Sequence, residues 1–295
     1  MISFFLRLFT LLSTLGMNVI AEENFPDFNN PIEISKIRRE AVVGTWTELT
    51  NKTLPFDEFR QKNGLQYLRT DEYPYSGYYI QEDENKKIRS LRYFKEGLLD
   101  GPIVSWRANG LRFHQGSYVK GKKHGLFEFW SDLNVKNLEQ NFNDGNLNGL
   151  SIRWYKNGSK SSEQIFQNGK ILTAIGWKPN GERCPSTRVV NGVGVLVLYD
   201  DFGTESNREE FDENLKSHSV ERYANGKIRE EGYYKNEKKD GIWIFYRTDG
   251  TEHFRITYRD GTRLKTEFSS NPSLENVQGD FERFRRGKPE VVEVD

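Results

Sequence analysis

The chain has 295 residues, of which 43 are basic and 43 acidic, and 14% are aromatic. A formal net charge of zero argues against nucleic acid as a partner, because such binders concentrate Lys and Arg into a dominant basic face. The one cysteine, Cys184, excludes an intrachain disulfide. A mean hydropathy of −0.77 beside so many aromatics fits a thin sheet whose few buried positions must be large.

Residues 1–21 read as a signal peptide. Arg7 is their only charge, Leu8 to Ile20 is mostly apolar, and Val19-Ile20-Ala21 before Glu22-Glu23 meets the small-residue rule at positions −3 and −1. The apolar stretch is short of the roughly 20 residues a membrane span needs, and Ser13, Thr14 and Asn18 interrupt it. The expectation is cleavage near Ala21 and export to the periplasm or the extracellular space, with a membrane anchor if the segment stays uncleaved. Cleavage would remove Arg7 alone and leave 42 basic against 43 acidic residues.

Residues 22–72 form a lead-in. Ile34, Ile37, Arg38 and Ala41 stand at helical spacing, with Asn30 as cap and Pro31 in the first turn, so a short helix is expected within Pro31 to Val43. The stretch from Trp46 to Leu68 is expected to cover the first open edge of the neighbouring sheet.

An array occupies residues 73–264. Gly77, Gly101, Gly125 and Gly149 stand 24 residues apart, and a further block opens at Gly241. Counting from each glycine, an aromatic recurs at five (Trp106, Trp130, Trp154, Tyr246), another at seventeen (Phe94, Tyr118, Phe142, Phe166, Tyr258), and a glycine at twenty. Asn109-Gly110, Asn157-Gly158, Asn225-Gly226 and Asp249-Gly250 lie between the aromatics and are expected to form type I′ hairpin turns. KGKKHG (Lys120 to Gly125), DGNLNG (Asp144 to Gly149) and NEKKDG (Asn236 to Gly241) supply the second loop, so each unit reads strand, turn, strand, turn. In GLSIRWY (Gly149 to Tyr155), alternation places Leu150, Ile152 and Trp154 on one face, with Ser151 and Arg153 on the other. Burial yields about 1.5–3 kcal/mol per large apolar side chain, against roughly 1–2 kcal/mol of backbone entropy per residue, so one unit cannot fold alone. The phase slips at residues 170–192, and Leu133-Asn134 replaces the usual turn pair. Residues 265–295 are polar and aperiodic and read as a poorly ordered tail, in which FERFRR (Phe281 to Arg286) is the one strand-like run.

GSYVKGKKHGLFEFW (Gly116 to Trp130) and EGYYKNEKKDGIWIFYRTDG (Glu231 to Gly250) resemble bacterial variant MORN repeats of the YwqK-type toxin–antitoxin antitoxin family. The resemblance runs from about Tyr73 to Leu264 and implies an all-β, elongated antiparallel meander of hairpin repeats without a catalytic site. It also implies an antitoxin that masks a partner toxin, which export would place outside the cytoplasm.

The residues themselves nominate no enzyme and no cofactor. His114, His124, His218 and His253 lack metal-ligand spacing. Cys184 in ERCPS has no local base and reads as an inert thiol. The glycines form no phosphate loop, each being explained by a turn. The basic clusters Lys120, Lys122, Lys123 and His124, and Lys235, Lys238 and Lys239, read as solvated turns that keep edges soluble. The expected function is a monomeric, non-enzymatic scaffold that presents a sheet face to a protein, or to an envelope glycan or membrane surface. Phe127, Phe129, Trp243 and Phe245 are its candidate outward contacts, and packing on neighbouring strands is the alternative for the same side chains.

Overall fold

The computed structural model describes residues 30–45, 59–213 and 215–269. The expected signal peptide and the tail from residue 270, including Phe281 to Arg286, lie outside the described residues.

Helix α1 (Pro31–Glu40) begins where the sequence places it. The Asn30 side chain accepts a hydrogen bond from the Ile32 amide, and Pro31 occupies the first turn, where its missing N–H costs nothing. The helix stops at Ala41, whose extended backbone leads into β1 (Val42–Thr45). A two-stranded sheet comes next, β2 (Phe59–Lys62) with β3 (Leu65–Leu68).

The array then runs as a meander. Its first third is β4 (Gly77–Glu82), β5 (Ile88–Lys95), β6 (Leu98–Trp106), β7 (Arg112–Val119), β8 (Lys122–Trp130) and β9 (Lys136–Asn143). The middle is β10 (Asn146–Trp154), β11 (Lys160–Gln167), β12 (Lys170–Trp177), β13 (Arg183–Val190) and β14 (Val193–Tyr199). It closes with β15 (Glu205–Asp212), β16 (Leu215–Arg222), β17 (Ile228–Lys235), β18 (Lys238–Tyr246), β19 (Glu252–Arg259) and β20 (Thr262–Phe268). Each strand from β4 to β20 pairs antiparallel with the next. β1 joins β4 in parallel, giving a sheet of 18 strands among the described residues. The slip at 170–192 does not break the ladder, and β20 reaches Phe268, so residues 265–268 belong to the sheet rather than to the tail.

The first edge is covered differently from the sequence expectation. It is β1 that lies along β4, and Ile37 of α1 packs on Ile80, Leu91 and Val104. The hairpin β2–β3 instead meets the first array turn, where the Gln66 amide donates to the Gly97 carbonyl. The rest of the Trp46 to Leu68 stretch, residues 46–58, lies outside the described residues.

The turn types exchange places relative to expectation. Both central residues are left-handed in Lys120-Gly121 (φ 49° and 79°), Asn168-Gly169 (49° and 83°) and Asp260-Gly261 (48° and 85°), the type I′ signature. In the Asn109-Gly110 loop only Gly110 is left-handed, at φ 83°. There the Gly110 amide donates to the Arg107 carbonyl, the Leu111 carbonyl accepts from the Arg107 amide, and Asn109 caps the Leu111 amide at 3.0 Å. That is a three-residue loop with a bulge. Its asparagine serves through its side chain rather than through a left-handed backbone.

The phase-marking glycines are a second correction. Gly101, Gly125, Gly149 and Gly241 sit inside β6, β8, β10 and β18, with φ 145°, 74°, 104° and 72°. Pairing with the preceding strand shifts beside them, so they bend the strand instead of making the turn. A second bulge comes after each three-residue loop, for example where Trp130 pairs with Lys136 and Phe129 with Leu138. Alternation does not sort burial by itself either: Ser151 and its neighbour Ile152, in regular register with both flanking strands and so on opposite faces, are both buried.

Units are tied by the type I′ turns. The Gly121 amide donates to the Leu99 carbonyl of the unit before, and the Lys120 amide to Asp100 Oδ1. The same pair of bonds recurs at Asn168-Gly169, to Asn148 and Leu147, and at Asp260-Gly261, to Asp240 and Lys239. Asp100, Asn148 and Asp240, each just before a phase glycine, are thus acceptors for the next unit's turn, whereas beside Gly125 only the carbonyl bond recurs, from the Gly145 amide to Lys123. Apolar burial is spread over small clusters along the sheet, such as Ile103, Phe127 and Phe142, or Ile171, Ala174, Val189 and Leu196. Each cluster is shared between adjacent hairpins, as a quasi-one-dimensional array requires.

Candidate interaction surface

Three of the four aromatics expected to face outward are buried. Phe127 and Trp243 are each 1% exposed, Phe245 is also buried, and Phe129 is half-buried. The strand bends at Gly125 and Gly241 place Phe127 against Gly116 and Trp243 against Gly232 on the neighbouring strand. A Cβ on either glycine would fall under 3.0 Å from the ring, so the absent side chains are the space the rings fill. Phe127 also meets Tyr118 and Phe142 edge-on, at 5.5 and 5.3 Å, and Phe245 stacks on Phe254 at 4.6 Å. The face expected to meet a partner is closed by the chain's own strands.

The lysine clusters divide. Lys120, Lys122, Lys235 and Lys238 are exposed. Lys239 instead stands 3.5 Å from the centre of the Trp243 ring and within 3.8 Å of Glu230, while the indole N–H donates to the Tyr233 carbonyl at 2.9 Å. Lys123 lies over Phe127 and Phe142 at 5.0 and 4.7 Å, and burial lowers its pKa. These two lysines are internal clamps.

Trp130 and Trp154 at the fifth position, and Trp177 in the stretch where the phase slips, are half-buried beneath a row of cations: Arg112 over Trp130 at 5.3 Å, Lys136 over Trp154 at 5.9 Å, and Lys160 over Trp177 at 5.3 Å. Each cation pairs with the side chain three residues on: Gln115, Glu139 and Glu163. Residues three apart on a flat strand point to opposite faces, and the bulge after each loop returns them to one. The row is self-satisfied and holds the tryptophans in place.

The three-residue loops all lie along one edge of the meander, and two of them carry an apolar residue at the tip. Asn109, Asn157, Asn180, Asn225 and Asp249 each cap the amide two residues on. Leu133 and Phe202 occupy the same place in their loops and are 63% and 94% exposed. Their caps have moved: Ser131 Oγ accepts from the Val135 amide, and Asp200 accepts from the amides of both Phe202 and Thr204. The loop of Phe202 is also anchored, because the Lys156 amide donates to Asp201 Oδ1 at 3.0 Å and the two side chains pair at 3.3 Å. An aromatic side chain on a braced loop is held in water with no contact of its own to gain. Alignment of the loops flags Leu133-Asn134 as irregular, but only the relocated caps show that both tips are free of structural duty.

Buried Cys184 and half-buried His114 lie elsewhere. Cys184 is 1% exposed, beside a hollow of about 420 Å³ bordered by Arg183 and Arg188, and its sulfur is 3.2 Å from the Tyr199 hydroxyl. Burial raises its pKa, but hydrogen bonds from Thr187 and Tyr199 outweigh that and leave it lowered; Tyr199 is raised, first by burial. His114 is driven down to about 4 by burial and by the Arg92 and Lys123 charges.

Comparison of the sequence with protein-family models and with curated proteins finds no match.

Proposed function

We propose that this protein is an exported, non-enzymatic repeat scaffold that binds a protein partner through the loop edge of its sheet. The observation that carries the reading is Phe202, 94% exposed at a tip where five other loops place a capping Asn or Asp, with Leu133 as its counterpart. A rigid aromatic is an effective anchor, because it buries a large area on binding and loses few rotamers. Asp132 precedes Leu133 and Asp200 stands two residues before Phe202, with the intervening Asp201 already paired to Lys156, which suits a partner with an apolar pocket flanked by basic residues and disfavours an anionic lipid surface. Export rests on the first 21 residues, and the scaffold class on the resemblance to variant MORN repeats. The antitoxin role implied by that resemblance is the same binding act with a toxin as partner.

The test is cross-linking of the tagged protein in its source cell, then mass spectrometry, for the wild type and for Phe202→Asn with Leu133→Asn. Asparagine restores the array's own cap, so the variant should fold as well as the wild type. Loss of a partner captured by the wild type is expected. Equal capture by both would move the surface elsewhere, and a cytoplasmic location would remove the export reading.

A further inference from the structure

The two ends of the sheet are treated differently. At β4 the edge is occupied by β1, and α1 packs behind it. At β20 the described residues show register with β19 alone, and no described strand takes up the backbone N–H and C=O groups of its outer side. The side chains along it are also unlike a blunted edge. Leu264 and Phe268 are 51% and 46% exposed, and the row of rings formed by Phe245, Phe254 and Phe268 runs across the sheet to this edge at 4.6 and 5.9 Å.

We infer that β20 pairs antiparallel with β20 of a second copy of the chain, about a two-fold axis at Thr266. In that register Lys265 faces the other copy's Glu267 and Glu267 faces its Lys265. Leu264 faces its Phe268 and Phe268 its Leu264. Thr266 meets itself. Residues 264, 266 and 268 share one face of the strand and 265 and 267 the other, so one face brings four apolar side chains together while the other makes two opposite-charge pairs. Lys265 and Glu267 already pair within the strand at 2.8 Å with side chains 65% and 47% exposed, so the charges are presented together at the edge. A strand that is self-complementary in charge and in apolar content under antiparallel pairing meets the requirement of an isologous interface. The sequence expectation of a monomer is replaced by a two-fold dimer whose sheet is continuous through both copies. The loop tips at Leu133 and Phe202 take no part in this pairing.

The test is sedimentation equilibrium of the purified full chain over a concentration series, for wild type, Lys265→Glu, Glu267→Lys and the double swap. Each single reversal turns both charge pairs into like-charge contacts and should weaken dimerisation about tenfold. The double swap restores opposite charges in the same register and should recover wild-type affinity. Unfolding midpoints report whether any variant has lost its fold, and amide exchange at residues 262–268 should slow with concentration in the wild type alone among the wild type and the two single variants. A chain that stays monomeric at every concentration overturns the inference. So does dimerisation that the single reversals leave unchanged, or a monomer that dimerises only once residues 270–295 are removed, which would assign the edge to the tail.

Discussion

Replacing Gly232 with alanine isolates the packing of an aromatic ring on a cross-strand glycine. Gly232 has no left-handed backbone, so alanine carries no conformational penalty there and by itself would stabilise by about 0.4–1 kcal/mol through the unfolded chain. The added Cβ, however, falls under 3.0 Å from the Trp243 ring, which is 1% exposed and has no room to retreat. Moving the indole also disturbs its 2.9 Å hydrogen bond to the Tyr233 carbonyl and the Lys239 ammonium 3.5 Å above the ring. Overpacking costs about 1–3 kcal/mol and a strained hydrogen bond roughly 1 kcal/mol. The net expectation is a loss of about 1–3 kcal/mol, opposite in sign to the backbone effect alone.

The assay is urea denaturation, with amide exchange on β17 and β18 as the local readout, because an array need not unfold in one step. Trp243→Ala should itself cost about 3–5 kcal/mol through the cavity it leaves. On that background Gly232→Ala has no ring to strike and should be neutral or stabilising, giving a coupling of at least about 1 kcal/mol in the double-mutant cycle. Gly116→Ala with Phe127→Ala repeats the experiment at the equivalent site. If Gly232→Ala raises stability equally in both backgrounds, the ring does not use the glycine's space and the reasoning is wrong.

Asp240→Ala removes the acceptor of the Asp260 amide in the next unit's turn and should cost about 0.5–1.5 kcal/mol, with faster exchange at that amide. Asp240→Asn should restore both, as Asn148 serves Asn168 in the wild type; no change on Asp240→Ala would show that the turn does not depend on the unit before it. His114 supplies a pH dependence. Its folded pKa of about 4 lies below the usual 6.5, so between these values the unfolded chain binds a proton that the folded chain refuses. Stability is therefore complete above pH 6.5 and falls as the pH drops towards 4, by up to about 3 kcal/mol. His114→Gln should flatten that part of the stability-against-pH curve, and an unchanged slope would place the proton uptake elsewhere.

The helix start and the existence and order of the hairpins were legible in the sequence because their causes are local. Asn30-Pro31 defines a helix N-terminus, and glycines and aromatics recurring at fixed phase define one unit copied along the chain. The turn chemistry was only half legible. Asn-Gly suits a type I′ turn in isolation, yet the array uses Lys120-Gly121 for that turn and Asn109-Gly110 for a bulged loop. The choice rests on the unit before, whose Asp100 side chain and Leu99 carbonyl receive the two turn amides. No property of the dipeptide carries that information.

Phe127 and Trp243 show the same limit at the candidate surface. Period-two reading assumes a flat strand, whereas positive φ at Gly125 and Gly241 bends the strands that carry them, and both rings close over glycines on the neighbouring strand. Phe202 was hidden for the converse reason. Its exposure means something only beside five loops whose Asn or Asp caps the backbone, and beside Asp200, which has taken over that duty. By itself the sequence determined an all-β array and its period, because repetition and turn propensity are written residue by residue. Tertiary structure decided which faces close, which edge is covered and which loop tips stay in water, because these depend on strand bends and on hydrogen bonds between residues a whole unit apart.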